Sequence, residues 1–196
     1  MLKIIGILGD IGSGKSFIAK QFGYPIFNAD KEVSKIYKKN ISCYNKLRLK
    51  LSKYIKSYPI NKKELSKAII SNQKNLKQII NIVHPIVRKK MNIFLKKNKK
   101  SKMIILDVPL LVENKLNKKN DILIFVEAKR KDINKRLKKR INYNQKLIDN
   151  FRKIQKPLSI KKKLSTYIIR NNFRLLSVKK RVKLIKSNIL NERNST

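Results

Sequence analysis

The chain has 196 residues, and its 51 Lys and Arg against 11 Asp and Glu give a formal net charge of +40. Hydrophobic residues make up 41% of it, too many for a disordered polycation, and the length is enough for one core with an inserted lobe. Cys43 and His84 are the only residues of their kinds; this excludes an intrachain disulfide, a Cys-based zinc site and a His-pair metal motif, and argues against a Ser-His-Asp hydrolase.

The charge has two readings. A polyanion partner is one. Compositional bias is the other: Lys (41), Ile (30) and Asn (21) make up nearly half the chain, against 4 Ala and 5 Gly. The first three have A/T-rich codons and the last two G/C-rich ones, so much of the Lys excess reads as background. The N-terminal apolar stretch is too short for a signal-peptide core and is broken by Gly6. No apolar run approaches the roughly 20 residues that cross a bilayer. The expectation is a soluble cytoplasmic protein with no membrane partner.

In chain order, Leu2 to Leu8 reads as a buried strand, followed by a glycine loop and a helix from Lys15 to Phe22. Pro25 to Phe27 is a short second strand, and Asp30 is placed to cap a helix running to about Lys39. From Ile41 to Lys100 the pattern is helical. Leu47, Leu51, Tyr54, Ile55 and Tyr58 recur at helical spacing until Pro59 stops the run. Asn61 with Glu64 resembles a capping box, Asn72 starts a further helix, and Pro85 fits the first turn of another. Strands are expected at Met103 to Leu106, within Asp121 to Val126, and at Tyr167 to Ile169. Helices are expected at Lys131 to Ile141, Gln145 to Gln155 and Leu175 to Leu190. Strands alternating with helices predict an α/β fold with a parallel five-stranded sheet covered on both faces. The expected organisation is a core of residues 1–30 and 101–190, a helical lobe at 31–100, a lid region at 130–156 and a frayed tail at 191–196.

All five glycines lie within the first 23 residues, and Gly9-Asp10-Ile11-Gly12-Ser13-Gly14-Lys15-Ser16 fits the phosphate-binding loop G-x-x-x-x-G-K-[ST] between a strand and a helix. Such a loop turns successive N–H groups toward phosphate oxygens at a helix N-terminus. Lys15 is expected to reach the β- and γ-phosphates and the Ser16 hydroxyl to ligate Mg²⁺. Asp10 is out of place there, because a carboxylate beside the loop is repelled unless it points outward, away from the phosphates, or has a partner Lys. Asp107 ends an apolar strand, where an acid can hold Mg²⁺. Asp30 follows the second strand and serves either as a helix cap or as the acceptor of a hydroxyl proton. Arg136 and Arg140, one helical turn apart, either clamp a transferring phosphoryl group or decorate a solvated face.

These residues resemble the dephospho-CoA kinase family. Gly6 to Ser16 is similar to its opening, Asn28-Ala29-Asp30 to its Asp-Ala-Asp segment, and His84-Pro85-Ile86-Val87 to its His-Pro element. Asp107-Val108-Pro109-Leu110-Leu111-Val112-Glu113 resembles its Pro-Leu-Leu-x-Glu signature. Arg136, Arg140 and Gln155 match its lid arginines and a following glutamine, and Ile168-Ile169-Arg170-Asn171 the strand before its adenine-side loop. Five positions differ: Leu8 stands for a usual Thr, Asp10 for Gly, Asn28 for Asp, Thr166 for Asp and Phe173 for Gly.

The resemblance implies a P-loop kinase fold and transfer of the ATP γ-phosphate to the ribose 3′-hydroxyl of dephospho-CoA, the last step of coenzyme A biosynthesis. It implies Lys15, Asp30, Arg136 and Arg140 as catalytic residues, residues Asp10 to Phe17 and Asn171 around ATP, and Ser16 and Asp107 around Mg²⁺. It places the acceptor against Asp30, His84, Arg88, Pro109, Leu110, Leu111 and Glu113. His84 is otherwise a structural residue beside Pro85. Competing readings are another small nucleoside or nucleotide kinase, a nucleic-acid-binding ATPase, or a loop that binds nucleotide without turnover. Lys is spread through every segment and aromatics are only 7% with no Trp, which argues against a specific nucleic-acid partner. The protein is expected to be a monomer or a small homo-oligomer.

Overall fold

A computed structural model describes residues 2–191. The elements are β1 (Lys3–Gly9), α1 (Lys15–Gln21), β2 (Ile26–Asn28), α2 (Ala29–Lys39), α3 (Ile41–Lys50), α4 (Lys62–Ser71) and α5 (Gln73–Lys97). After them come β3 (Met103–Asp107), β4 (Ile122–Glu127), α6 (Arg130–Lys138), α7 (Gln145–Lys153), α8 (Leu158–Lys163), β5 (Tyr167–Arg170) and α9 (Leu175–Asn191). The chain divides into two compact units. One holds residues 1–28, 98–143 and 156–196, and the other holds 29–97 and 144–155. Beyond Asn191, the expected tail lies outside the described residues.

The first unit is built on the expected five-stranded, all-parallel sheet, in the order β2-β3-β1-β4-β5. The middles of its strands are apolar runs because helices cover them, and β2 to β5 each end on a polar residue (Asn28, Asp107, Glu127 and Arg170); all five residues of β3, Asp107 included, are buried. Ile5 and Ile7 of β1, Ile105 of β3 and Ile124 of β4 form one core cluster with Ile18, Ala19 and Phe22 of α1. Val178, Val182, Ile185 and Ile189 of α9 join it, and their spacing of three and four residues lays one helix face on the sheet. β1 lies centrally, with β3 on one side and β4 on the other. The connection leaving β1 runs to β2 on one side, and the one leaving its neighbour β3 runs to β4 on the other, so the crevice that parallel sheets use for ligands opens at the carboxyl ends of β1 and β3. The glycine loop begins there.

The second unit is helical, and α2, α3 and α4 all pack on the long helix α5. Three expectations change here. Pro85 does not begin a helix but lies inside the 25-residue α5. Leu76, Ile79, Val83, Val87 and Met91 keep one buried stripe running through it, and that burial outweighs the hydrogen bond proline removes. The helix expected to reach Pro59 ends at Lys50, where Leu51 leaves helical geometry. Tyr54 and Ile55 then donate back to the Leu51 carbonyl at 2.9 Å each, so Ile55 is buried from a turn. Asn61 caps α4 by accepting from Lys63 N–H at 2.8 Å, but the box is not reciprocal. Glu64 accepts from Ser57 Oγ and from the N–H groups of Lys56 and Ser57, and so pins the preceding turn. Asn72 accepts from Lys74 N–H ahead of α5 as expected. α7 packs on α4, where buried Asn150 donates to the Ile69 carbonyl at 2.9 Å.

Candidate active site

The loop after β1 takes its shape from glycine. Gly14 has φ +94° and forms the N-cap of α1; a Cβ there would collide with the Asn171 amide. Gly12 has φ +86°, and a Cβ would lie 2.9 Å from Leu137 Cγ and 3.2 Å from Ile133 Cγ2. Both positions demand a left-handed backbone and no side chain. The loop is thereby pressed between α6 and the turn that follows β5. Within it, Ser13 N–H donates to the Asp10 carbonyl at 3.2 Å. Lys15 Nζ donates to the carbonyls of Gly9 (3.1 Å) and Asp10 (2.7 Å), which holds its ammonium over the loop. Ser16, in the first turn of α1, is exposed.

Asp10 does not point into solvent. It is 5% exposed, and its Oδ1 accepts from Ile11 N–H at 2.7 Å. Its Oδ2 accepts from Arg130 Nη1 at 3.0 Å. The partner is therefore an arginine and not the expected lysine: it is the first residue of α6, 120 positions away. Asp10, Val126, Ala128, Arg130, Ile133 and Leu158 line a cleft of about 270 Å³ beside the loop.

Asn171 joins the loop to the far edge of the sheet. Buried after β5, it donates from Nδ2 to the Ser13 carbonyl at 2.8 Å. Its Oδ1 accepts from Phe173 N–H at 2.8 Å, closing an Asx turn. Phe173 sits at φ +62°, so the turn keeps the left-handed backbone that a glycine would adopt there freely. The Phe173 ring lies 4.4 Å beneath the Arg136 guanidinium, a cation–π contact from α6. Arg140 is exposed just beyond the end of α6, its N–H on the Leu137 carbonyl at 3.0 Å. The two arginines thus do not share a continuous helix, because α6 stops at Lys138.

Asp107 ends β3 with its carboxylate buried, directly across from Asn28 in the β2–β3 register. Asn28 Nδ2 donates to Asp107 Oδ2 at 2.6 Å. The amide at position 28 is thus a donor where an acid would set two carboxylates together. Past β3, Leu111 is fully buried and Pro109 and Leu110 are half-buried. Glu113 is tied down from α8 and its approach: Oε1 accepts from Lys161 Nζ at 2.8 Å and from Lys156 N–H at 2.9 Å. At the end of β4, Glu127 accepts from Lys162 at 2.8 Å and from Arg170 at 3.3 Å. The Lys162 hydrogen bond is the main cause holding the Glu127 carboxyl below its usual range.

The remaining candidates belong to the second unit. Asp30 is exposed in the first turn of α2 rather than at its cap, because the helix already begins at Ala29. An acid in that turn suits the helix dipole. His84, half-buried, and Arg88, exposed, stand one turn apart on α5.

Arg130, Lys161 and the α8 helix carrying Lys161 were not singled out by sequence reasoning. Only Asp10 left a signal, as an acid out of place beside a phosphate loop. Among the described residues no helix is long and apolar enough to cross a membrane.

The sequence profile of dephospho-CoA kinase matches residues 3–176. A dephospho-CoA kinase of Wolbachia sp. subsp. Brugia malayi is 36% identical over 173 residues, covering 85% of this chain and 87% of the relative. That of Bartonella quintana is 30% identical over 194 residues, covering 96% and 99%. Among solved structures, a Thermus thermophilus protein aligns with a TM-score of 0.75 at 24% identity, over 95% of this chain and 97% of its own. A dephospho-CoA kinase from Campylobacter jejuni aligns with a TM-score of 0.60 at 21% identity, over 96% and 97%. The two structures share the fold, while the profile and the sequence relatives carry the assignment: this chain belongs to the dephospho-CoA kinase family.

Proposed function

We propose that the chain transfers the γ-phosphate of ATP to the ribose 3′-hydroxyl of dephospho-CoA, releasing CoA and ADP, as the last step of coenzyme A biosynthesis in the cytoplasm. The observation that carries this reading is the loop from Gly9 to Ser16. It stands at the carboxyl end of the central strand with the backbone that a phosphate cradle needs, in a chain whose family is kinases of this acceptor.

The polyphosphate is held by the N–H groups of the loop, with Phe17 and Asn171 completing the nucleotide's surroundings. The Lys15 ammonium turns from the Gly9 and Asp10 carbonyls to the β- and γ-phosphates, offsetting charge as the bond to the leaving ADP breaks. Asp30 accepts the 3′-hydroxyl proton as the oxygen attacks phosphorus. Arg136 and Arg140 add positive charge over the transferring group and help exclude water, which would otherwise consume ATP. For the acceptor we assign His84 and Arg88 of the lobe at 31–100, together with Pro109, Leu110, Leu111 and Glu113. The lid region at 130–156 includes residues 144–155, which belong to the helical unit.

Ser16 and Asp107 fit a magnesium ion. The donors are a hydroxyl and a buried carboxylate, oxygen ligands only, and Asn28 engages just one oxygen of Asp107. Magnesium is commonly held by one or two protein oxygens plus substrate phosphates and water. When bound there it neutralises charge on the β- and γ-phosphates.

The test is turnover by purified protein with ATP, Mg²⁺ and dephospho-CoA, set against a panel of nucleoside monophosphates. Preference for dephospho-CoA supports the reading, and turnover of a monophosphate in its place refutes it. Asp30→Asn is expected to lower kcat by about 10²-fold or more with ATP affinity largely kept. Loss of ATP binding in that variant would refute the base role.

A further inference from the structure

We propose that Arg130 is a positioning residue for the phosphate loop, acting through Asp10: it neutralises and holds aside a carboxylate that would otherwise repel the nucleotide's phosphates. The proposal rests on the reading of residues 9–16 as the ATP phosphate site.

Three observations carry it. First, the Asp10 carboxylate is buried inside the loop itself, with Oδ1 on Ile11 N–H at 2.7 Å and Oδ2 on Arg130 at 3.0 Å. A carboxylate this close to a polyphosphate site opposes binding unless its charge is compensated. Second, Arg130 is the first residue of α6. A cation gains nothing from the helix dipole at this end, so what engages this guanidinium is its ion pair with Asp10 at 3.0 Å. Third, α6 is fixed against the loop along its length. Ile133 and Leu137 leave no room for a Cβ on Gly12, and Arg136 lies over Phe173, whose turn is tied by Asn171 to the Ser13 carbonyl. The guanidinium is therefore presented from a support that the loop already touches, and it draws the Asp10 side chain toward α6.

The Arg130 side chain is 60% exposed, so replacing it does not open the core. The experiment measures ATP affinity by titration calorimetry for the wild type, Arg130→Met, Asp10→Asn and the double variant, with thermal melts confirming that each folds. Asn at position 10 keeps an oxygen for Ile11 N–H, removes the charge, and puts an amide NH2 where Oδ2 now accepts from Arg130. We expect Arg130→Met to weaken ATP binding about tenfold when Asp10 is present. In the Asp10→Asn background the same change should cost less than about threefold, because no charge remains to be compensated. Arg130→Lys should retain most of the wild-type affinity. An equal loss in both backgrounds overturns the proposal in favour of direct phosphate contact by Arg130. No loss in either background overturns it outright. Absence of ATP binding by the wild type would overturn the phosphate-site reading itself and the proposal with it.

Discussion

Lys161 is one of three consecutive lysines on α8, yet it is only 1% exposed, and its ammonium lies 2.8 Å from Glu113 Oε1. The Glu113 side chain is itself 9% exposed, and its buried Oε2 has no hydrogen-bond partner among the described residues. Lys161→Met keeps most of the aliphatic volume and removes the charge. The carboxylate would then keep only the Lys156 N–H, and an uncompensated buried charge of this kind costs about 3–5 kcal/mol. For a chain of this size each kcal/mol shifts Tm by about 2–4 °C, so the melting transition of the sheet unit should fall by about 6–20 °C. Glu113→Gln/Lys161→Met removes both charges and should recover at least about half of that loss. Differential scanning calorimetry gives the transition, and hydrogen exchange of the β3 amides assigns it to the sheet unit. A loss below about 1 kcal/mol for Lys161→Met would refute the claim that this pair fastens α8 to the segment after β3.

Two further predictions concern single side chains. Asn28→Asp would face a second carboxylate toward Asp107 in place of a donor now 2.6 Å away. Without divalent metal we expect a loss of about 1–3 kcal/mol, partly restored by millimolar Mg²⁺; a loss indifferent to Mg²⁺ would count against Asp107 as a metal ligand. Burial pushes the Cys43 thiol up to about 11, with Lys46 opposing. The folded state therefore holds this proton more tightly than the unfolded chain. The stability it contributes is complete below about 9 and is lost as pH rises toward 11. Native protein at pH 8 should not react with a thiol reagent, whereas unfolded protein should react at one site. Fast labelling of the native state would contradict this. Cys43→Ala should flatten the alkaline decline in stability.

What could be read in the sequence follows from what each feature requires. The phosphate loop was legible because glycines are scarce in this chain and left-handed backbone permits little else. The strands were legible because a sheet covered on both faces needs unbroken apolar runs, as at Met103 to Leu106. Pro85 misled because its local preference for a helix start was outweighed by a stripe that buries five side chains through it. The run from Leu47 to Tyr58 misled because apolar spacing records burial, and a turn at Leu51 buries Ile55 as well as a helix would. α8 went unseen because Leu158 to Lys163 is short and ends in three lysines. Nothing local separates Lys161 from Lys162, one buried on Glu113 and the other exposed on Glu127. That distinction arises only from tertiary contacts. The same holds for Arg130, whose partner lies 120 residues away. Phe173 is the opposite case: a side chain replaced a glycine while the left-handed turn, tied by Asn171, stayed.

The central claim is that Gly9 to Ser16 cradles the phosphates of ATP while phosphate passes to dephospho-CoA. Its most direct test compares wild type with Lys15→Ala in kcat/KM for CoA formation. The account predicts measurable turnover by the wild type and a loss of about 10³-fold or more in the variant, about 4 kcal/mol of transition-state stabilisation. A folded Lys15→Ala variant that turns over dephospho-CoA at a near-normal rate would contradict it.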